Sequence, residues 1–318
     1  MLLSGRSCDV LSVGRVGVDV YPTQIRKPLD EVENFTKFLG GSAANVAVAA
    51  SRYGHRTALI SKTGNDPFGR FIHRQLRLYG VDDCFVGLEP ASPTPVTFCE
   101  IFPPENFPIF FYRTSESPDM RIREEELPLR HIRAAEVFWA TLTGLSAEPS
   151  RQAHFAAWEE RNCRRYTIID LDYRPKFWPN GGERESAVAA LKQCNVAVGN
   201  TEECWVATGE RDPKRAAKAM LDLGVEIAVV KRGPEGAMVM THDEVIEAPT
   251  LSVSTLNGLG AGDGFGGALC HGLISGWELG EVLRFANTAG ALVASRLETS
   301  AAMPSEDEVR KAMERLPL

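Results

Sequence analysis

Four short apolar runs, AEVFWAT, YTIIDLD, NVAVGN and EIAVVKRG, follow one another through the middle of the chain, separated by segments of helix length. Unbroken apolar runs of this size are expected of strands buried on both faces. Upstream, CDVLSVG has the same character. After a long polar insertion comes SAANVAVAASRYG, whose apolar positions recur with a helical period. TALISKTG then predicts a strand and DPFGRFIHRQLRLYG an amphipathic helix. Strands alternating with helices predict an α/β sandwich with a mostly parallel central sheet. There is no internal repeat, low-complexity tract or long linker, so residues 1–318 are read as one domain.

Two stretches, residues 20–38 and 96–113, break the alternation. In the second, VTFCEIFPPENFPIFFYR, two β-rich runs flank the turn signal PPENFP, which predicts a hairpin. A small β lid built from segments near 14–40 and 96–113 is the expected elaboration.

The stretch TLNGLGAGDGFGGALCHG, residues 255–272, packs seven glycines around the single acid Asp263. Phe265, Ala268, Leu269, Gly272 and Leu273 fall on one helical face, so a helix begins where the glycines thin out. Each interior glycine costs a helix about 1 kcal/mol relative to alanine. Their use implies close approach of another backbone or a ligand, or a loop with positive φ. Bare N–H groups at a helix start form an anion site, with phosphate the natural candidate.

Composition narrows the classes further. The net charge of −7 offers no broad basic face, which argues against nucleic acid. The seven cysteines contain no C-x-x-C pair, so neither a structural zinc site nor a disulfide framework is expected, and a reducing cytoplasm fits. Neither a signal peptide nor a membrane span is expected from the apolar pattern.

LGGSAANVAVAASRYG and LNGLGAGDGFGGAL resemble the two signatures of the ribokinase family, the PfkB-type carbohydrate kinases, and the similarity spans essentially the whole chain. GNTEE resembles the family's Asn-x-x-Glu motif and VVKRGPEGA its nucleotide-loop strand. More narrowly, GRVGVDVYPTQ, PPENFPIFFYR and GLGAGDGFGGALCHGL resemble the branch that phosphorylates 5-dehydro-2-deoxygluconate, while DLDYRPKFW is shared with the 2-keto-3-deoxygluconate kinases. The resemblance implies a ribokinase-like three-layer sandwich with ATP and Mg²⁺ as cofactors. It also implies a sugar acid as substrate, phosphorylated at its 6-hydroxyl during myo-inositol catabolism. A homodimer paired through the lids is a further expectation.

The same resemblance assigns roles to residues. Asp263 would accept the proton of the attacking hydroxyl, and the backbone N–H groups of Gly260, Ala261 and Gly262 would hold the charge on the transferred phosphoryl group. Asp19, Gly40, Gly41 and Asn45 would contact the sugar hydroxyls, and Arg113 and Arg174 the carboxylate, for which a guanidinium fork is well shaped. Lys231, Gly233, Gly236 and Asn287 would border the nucleotide, and Asn200 and Glu203 would serve Mg²⁺ through water. Each role has a plainer alternative. Asp263 is also what a first helical turn favours, NTEE is a common helix cap, either arginine is equally a salt-bridge partner, and Lys231 an ordinary solvated lysine.

The chain also departs from the family. Asn257 and Gly258 stand where many members carry Asp-Thr, which leaves activation by a monovalent cation open, and ETSAAMPS diverges from the usual C-terminal pattern. GDGFGG formally matches the dinucleotide fingerprint, but the sequence past Gly267 reads as helix rather than a βαβ unit. No Walker A motif is present. The remaining alternatives are a 2-keto-3-deoxygluconate kinase, a neutral-sugar kinase of ribose or fructose type, and a non-catalytic sensor, which the intact Asp263 and glycine loop disfavour.

Overall fold

The computed structural model describes residues 7–104 and 106–315. Its strands are β1 (Val10–Val13), β2 (Gly17–Pro22), β3 (Phe35–Gly40), β4 (Thr57–Thr63), β5 (Val81–Asp82), β6 (Val86–Leu88), β7 (Val96–Cys99), β8 (Ile109–Tyr112), β9 (Val137–Thr141), β10 (Thr167–Asp170), β11 (Val196–Asn200), β12 (Ile227–Lys231), β13 (Ala237–Met240) and β14 (Val245–Ala248). The α-helices are α1 (Ser42–Arg52), α2 (Pro67–Leu78), α3 (Leu129–Ala134), α4 (Ser150–Arg161), α5 (Glu183–Leu191), α6 (Thr201–Thr208), α7 (Pro213–Asp222), α8 (Ala261–Ile274), α9 (Leu279–Ala294) and α10 (Glu306–Met313).

Among the described residues a ten-stranded sheet runs in the order β14-β13-β12-β11-β10-β9-β1-β4-β5, with β6 also beside β4. From β12 through β4 every neighbour is parallel, and the β13–β14 hairpin closes one edge antiparallel. This is the α/β sandwich expected from the apolar runs. Each run divides its side chains between two cores, as the two-residue strand period requires. Phe138, Ala140 and Ile169 pack with Trp158 of α4 and Ala187 of α5, whereas Val137, Trp139 and Ile168 pack with Val46 of α1 and Phe265 of α8.

A second, four-stranded sheet has the order β3-β2-β7-β8. It corresponds to the two stretches that broke the alternation, with the predicted hairpin strands at Val96–Cys99 and Ile109–Tyr112. Its inner side is fastened to the body at two places. The Phe111 and Phe177 rings lie 5.0 Å apart, and Lys176 Nζ donates to the Phe111 carbonyl at 2.7 Å. Nearer the tip, Phe107 packs with Leu259 and Leu297 beside the loop that precedes α8.

The glycines of α8 divide into two groups. A Cβ at Gly267 would stand 2.3 Å from the Ala49 Cβ, and one at Gly266 would stand 2.6 Å from the Trp139 ring, so these two let α8 lie directly on α1 and the sheet. Gly260 caps the helix with φ +80°, a left-handed conformation natural to glycine. The first group serves packing, and the second shapes the half-buried N-terminus.

Candidate active site

The carboxyl ends of the parallel strands, where ligands bind in open α/β sheets, are crowded with polar side chains. Residues just beyond β1 bring Arg15, those beyond β10 bring Asp172 and Arg174, and β12 ends at Lys231. The N-terminus of α8 presents Asp263 to the same region. Its first turn carries Ala261 and Gly262, whose minimal side chains leave the backbone approachable.

Asp263 is held by a short relay. Asn45 Nδ2 donates to Asp263 Oδ2 at 2.7 Å, and the Ser300 hydroxyl donates to Asn45 Oδ1. The residue keeps some exposed surface, yet its carboxyl lies among protein atoms. Burial pushes the Asp263 carboxyl up to about 6. The Asn45 hydrogen bond opposes this rise, the Asp172 charge reinforces it, and Arg15 and Arg174 pull it back. A carboxylate tuned this way can take a proton near neutral pH.

Next to the base stands a charged cluster. Asp172 Oδ2 accepts from Arg15 Nη2 at 2.8 Å and from Ser42 Oγ at 2.9 Å, and Asp172 Oδ1 meets Arg174 Nη2 at 2.7 Å. Although burial alone would raise it, this grip holds the Asp172 carboxyl well below the usual carboxylate range. Arg113 forms a separate buried pair with Asp119 at 2.7 Å and lies 4.7 Å from the centre of the Phe177 ring. Both arginines expected to face a carboxylate therefore already have an acidic partner.

On the other side of Asp263, Lys231 Nζ lies 3.8 Å from Asp170 and 4.0 Å from Glu203. A Cβ at Gly262 would be 3.2 Å from that same ammonium, so Lys231 reaches the α8 N-terminus rather than solvent. Burial alone would lower the Lys231 pKa, but Asp170 and Glu203 more than offset it and keep the amine protonated. Burial raises the Asp170 carboxyl, and the Lys231 charge pulls it back.

Asn200 and Glu203 form a reciprocal cap on α6, with Glu203 N donating to Asn200 Oδ1 at 2.9 Å and Asn200 N to Glu203 Oε2 at 2.7 Å. The capping alternative is thus realised, and Glu203 also faces Lys231. Among the described residues no group of three or more His, Cys, Asp or Glu is placed to hold a metal ion. The donors present are carboxylate and amide oxygens, hard ligands that suit a hydrated Mg²⁺ carried largely by nucleotide phosphates.

The expected sugar contacts are brought together beneath the lid. Asp19 on β2 is buried and accepts from the Tyr21 hydroxyl at 2.9 Å and from Thr299 Oγ1 at 3.2 Å. Burial raises its carboxyl above the ordinary range. A Cβ at Gly40 would sit 2.2 Å from the Asp19 carboxyl carbon, so Gly40 makes room for Asp19 itself. Gly41, at φ +100°, lets the start of α1 press against the Arg15 backbone.

The expected nucleotide residues occupy the turn after β12. Gly233 and Gly236 both have positive φ, and a Cβ at Gly236 would strike the Ala248 carbonyl at 2.1 Å. Asn287 on α9 donates to that carbonyl at 3.0 Å and to the Pro249 carbonyl at 3.2 Å, pinning the chain that leaves β14. A groove of about 700 Å³ opens beside this chain, lined by Pro249, Thr250, Leu251, Ser252 and Leu292 among others.

The pfkB family carbohydrate kinase model matches residues 8–306, nearly the whole chain. The chain belongs to the pfkB carbohydrate kinase family. This kinase is 30% identical over 320 residues to a 5-dehydro-2-deoxygluconokinase of Geobacillus thermodenitrificans, covering 97% of this chain and 94% of the relative. It is 31% identical over 316 residues to a Clostridium tetani protein of the same name, covering 95% of this chain and 92% of the relative. Among solved structures, an Escherichia coli protein described as a ribokinase II, in complex with ATP and Mg²⁺, superposes with a TM-score of 0.89. It shares 21% identity, over 97% of this chain and 100% of that one. The fold is ribokinase-like, and the family and its named relatives make the chain an ATP-dependent sugar kinase. No helix among the described residues is long and apolar enough to cross a membrane.

Arg15, Asp170, Asp172, Thr299 and Ser300 were missed as site residues by sequence reasoning. Three of them carried a usable signal, since Arg15, Asp170 and Asp172 all stand at or just beyond the end of a predicted parallel strand. Thr299 and Ser300 lie in the divergent ETSAAMPS segment, where nothing in the sequence marks their approach to Asp19 and Asn45.

Proposed function

We propose that this pfkB-family kinase phosphorylates the 6-hydroxyl of a six-carbon sugar acid, with 5-dehydro-2-deoxy-D-gluconate as the substrate, in myo-inositol catabolism. The observation that carries the reading is the concentration of arginine at the lid-body junction next to Asp263: Arg15, Arg113 and Arg174 share this corner. The names of the relatives point the same way. Asp172 leaves the Nε donors of Arg15 and Arg174 unspent, and a carboxylate would suit them.

In this reading the substrate lies under the lid with its hydroxyls toward Asp19 and Asn45 and its carboxylate toward Arg174, while Arg113, expected to share that role, is held by Asp119 in the pocket wall. Asp263 removes the proton from the attacking hydroxyl. The Gly260, Ala261 and Gly262 amides, with the dipole of α8 behind them, hold the charge of the transferred group. ATP lies along the turn of Gly233 and Gly236 toward Asn287, with Lys231 near its phosphates. Mg²⁺, held by the phosphates and through water by Asn200 and Glu203, neutralises phosphate charge. The lid excludes water from the transfer site.

The test is ADP formation across a panel of sugar acids and neutral sugars. The reading predicts the highest kcat/KM for 5-dehydro-2-deoxygluconate, and a higher value for 2-keto-3-deoxygluconate would move the assignment to the runner-up.

The base assignment also fixes a pH dependence. Asp263 works ionised, and its folded-state pKa is raised to about 6. Activity is therefore full above that value and is lost as the pH falls through it. Asn45 lowers the Asp263 pKa through its hydrogen bond, so Asn45→Ala moves the acid limb to higher pH. A kcat/KM profile flat through about pH 6, or one unmoved by Asn45→Ala, would contradict the assignment.

Monovalent-cation dependence is expected to be absent. Asn257 is fully buried, its Nδ2 donates to the Leu297 carbonyl at 2.6 Å and its Oδ1 accepts from Leu259 N at 3.1 Å. A neutral amide thus braces the two segments without a charge for a cation to balance. Turnover should stay the same when tetramethylammonium replaces K⁺, and stimulation by K⁺ would refute this.

Pairing of the lids into a homodimer belongs to the same proposal and is supported by the outer lid face. Phe35, Phe98 and Tyr112 form an edge-to-face aromatic row, and Phe35, Phe110 and Tyr112 remain exposed. An apolar row of this kind on a soluble protein favours burial against a partner.

A further inference from the structure

Asp172 is one carboxylate gripped by two guanidiniums, those of Arg15 and Arg174. Asp263 next to the trio offsets the second guanidinium charge, since both arginines pull its pKa down, and Asp119 matches Arg113. Arg15 is 8% exposed and Asp172 3%. A guanidinium as buried as that of Arg15 needs its donors occupied, whereas the Arg174 side chain is 37% exposed. The same trio leaves two donors unspent: Nε of Arg15 and Nε of Arg174 are buried with no hydrogen-bond partner in the protein. Two unused guanidinium donors in one cluster suit an oxyanion.

Of the arginines near the base, Arg15 is held from both sides of the cleft. Its guanidinium carbon lies 5.7 Å from the ring centre of Phe111 on the lid and 5.7 Å from that of Phe177 on the body. It stands on the link between β1 of the body and β2 of the lid. Its position is thus fixed by the same contacts that seat the lid.

We propose that Arg15 is the specificity residue that reads the substrate carboxylate, its buried Nε–H donating to a carboxylate oxygen while Nη2 stays on Asp172. The inference rests on the sugar-acid reading above and adds to it a residue and an atom. Arg174 supplies the neighbouring charge. Arg113, spent on Asp119, shapes the pocket wall through Phe177. Lysine at position 15 would keep a cation beside Asp172 but has no second donor in a fixed plane to offer.

The test compares wild type, Arg15→Lys and Arg15→Met on the sugar acid and on the analogue whose carboxylate is reduced to an alcohol. Arg15→Lys is expected to lose about 10- to 150-fold in kcat/KM on the acid, mainly through KM, with a much smaller change on the neutral analogue. The ratio of acid to neutral kcat/KM should collapse accordingly. Equal losses on both substrates would mean that Arg15 only supports the fold, and the proposal falls. If wild type shows no preference for the acid, the sugar-acid reading itself fails. If wild type prefers the acid and Arg15→Lys keeps that preference, only the Arg15 assignment fails. Should the variants not fold, a crystal structure of wild type with the sugar acid and a non-hydrolysable ATP analogue decides. A carboxylate oxygen within hydrogen-bond distance of Arg15 Nε supports the proposal, and a carboxylate seated elsewhere overturns it.

Discussion

Asp263→Asn is expected to lower kcat by about 10²- to 10⁴-fold while ATP binds with unchanged affinity. Asparagine preserves the size of the side chain and an oxygen for Asn45 Nδ2, which now donates at 2.7 Å to Asp263 Oδ2. It cannot accept the proton of an attacking hydroxyl. The backbone of Gly260, Ala261 and Gly262, proposed to hold phosphate, is untouched, so nucleotide binding is expected to persist. Steady-state kinetics beside calorimetric titration with ATP separate the two effects. A near-normal kcat would remove Asp263 from the chemistry and return it to the lesser role of a first-turn helix acid.

Asp172→Ala is expected to cost about 3 kcal/mol of stability, toward the low end of what breaking a buried ion pair costs, because Arg174 can turn toward solvent. The loss follows from the geometry: Arg15 and Ser42 would both lose their partner on Oδ2, and Arg174 would lose Oδ1. The side chain of Arg174 is 37% exposed and can find water, but that of Arg15 is 10% exposed and cannot. Denaturant unfolding monitored by circular dichroism measures the difference. A loss below about 1 kcal/mol would show that the Arg15 charge is satisfied without Asp172.

The sheet was legible because its strands are buried on both sides. Runs such as AEVFWAT and YTIIDLD can only be central strands of a covered sheet, and β9 and β10 occupy them. The lid was legible as a break in that rhythm. Its four-stranded order could not be read, because β2 pairs with β7 across more than seventy residues of intervening chain and no local pattern encodes such a contact. The glycine loop was legible as the entry to a helix, and α8 begins at Ala261. The division of labour among its glycines was not, since Gly266 and Gly267 are explained by Trp139 and Ala49, residues distant in sequence.

The candidate site shows the same contrast. Asp263, Asn45 and Asp19 were named from motifs, and they converge on one region, linked through Ser300 and Thr299. Arginine is where sequence reasoning ran short. Arg113 and Arg174 drew attention through their motifs, whereas Arg15 was hidden in GRVGVD, one residue past the end of β1 plus a glycine. Only the fold reveals that this position lies between an aromatic ring of the lid and one of the body.

Selection of a sugar acid by this pfkB kinase can be read from a competition between substrates. An equimolar mixture of 5-dehydro-2-deoxygluconate, 2-keto-3-deoxygluconate, ribose and fructose is incubated with limiting ATP, and the phosphorylated products are separated and identified by phosphorus NMR. Product ratios report relative kcat/KM directly. The 6-phosphate of 5-dehydro-2-deoxygluconate should dominate, with any remainder on the other acid. Ribose or fructose phosphate as the main product would contradict it.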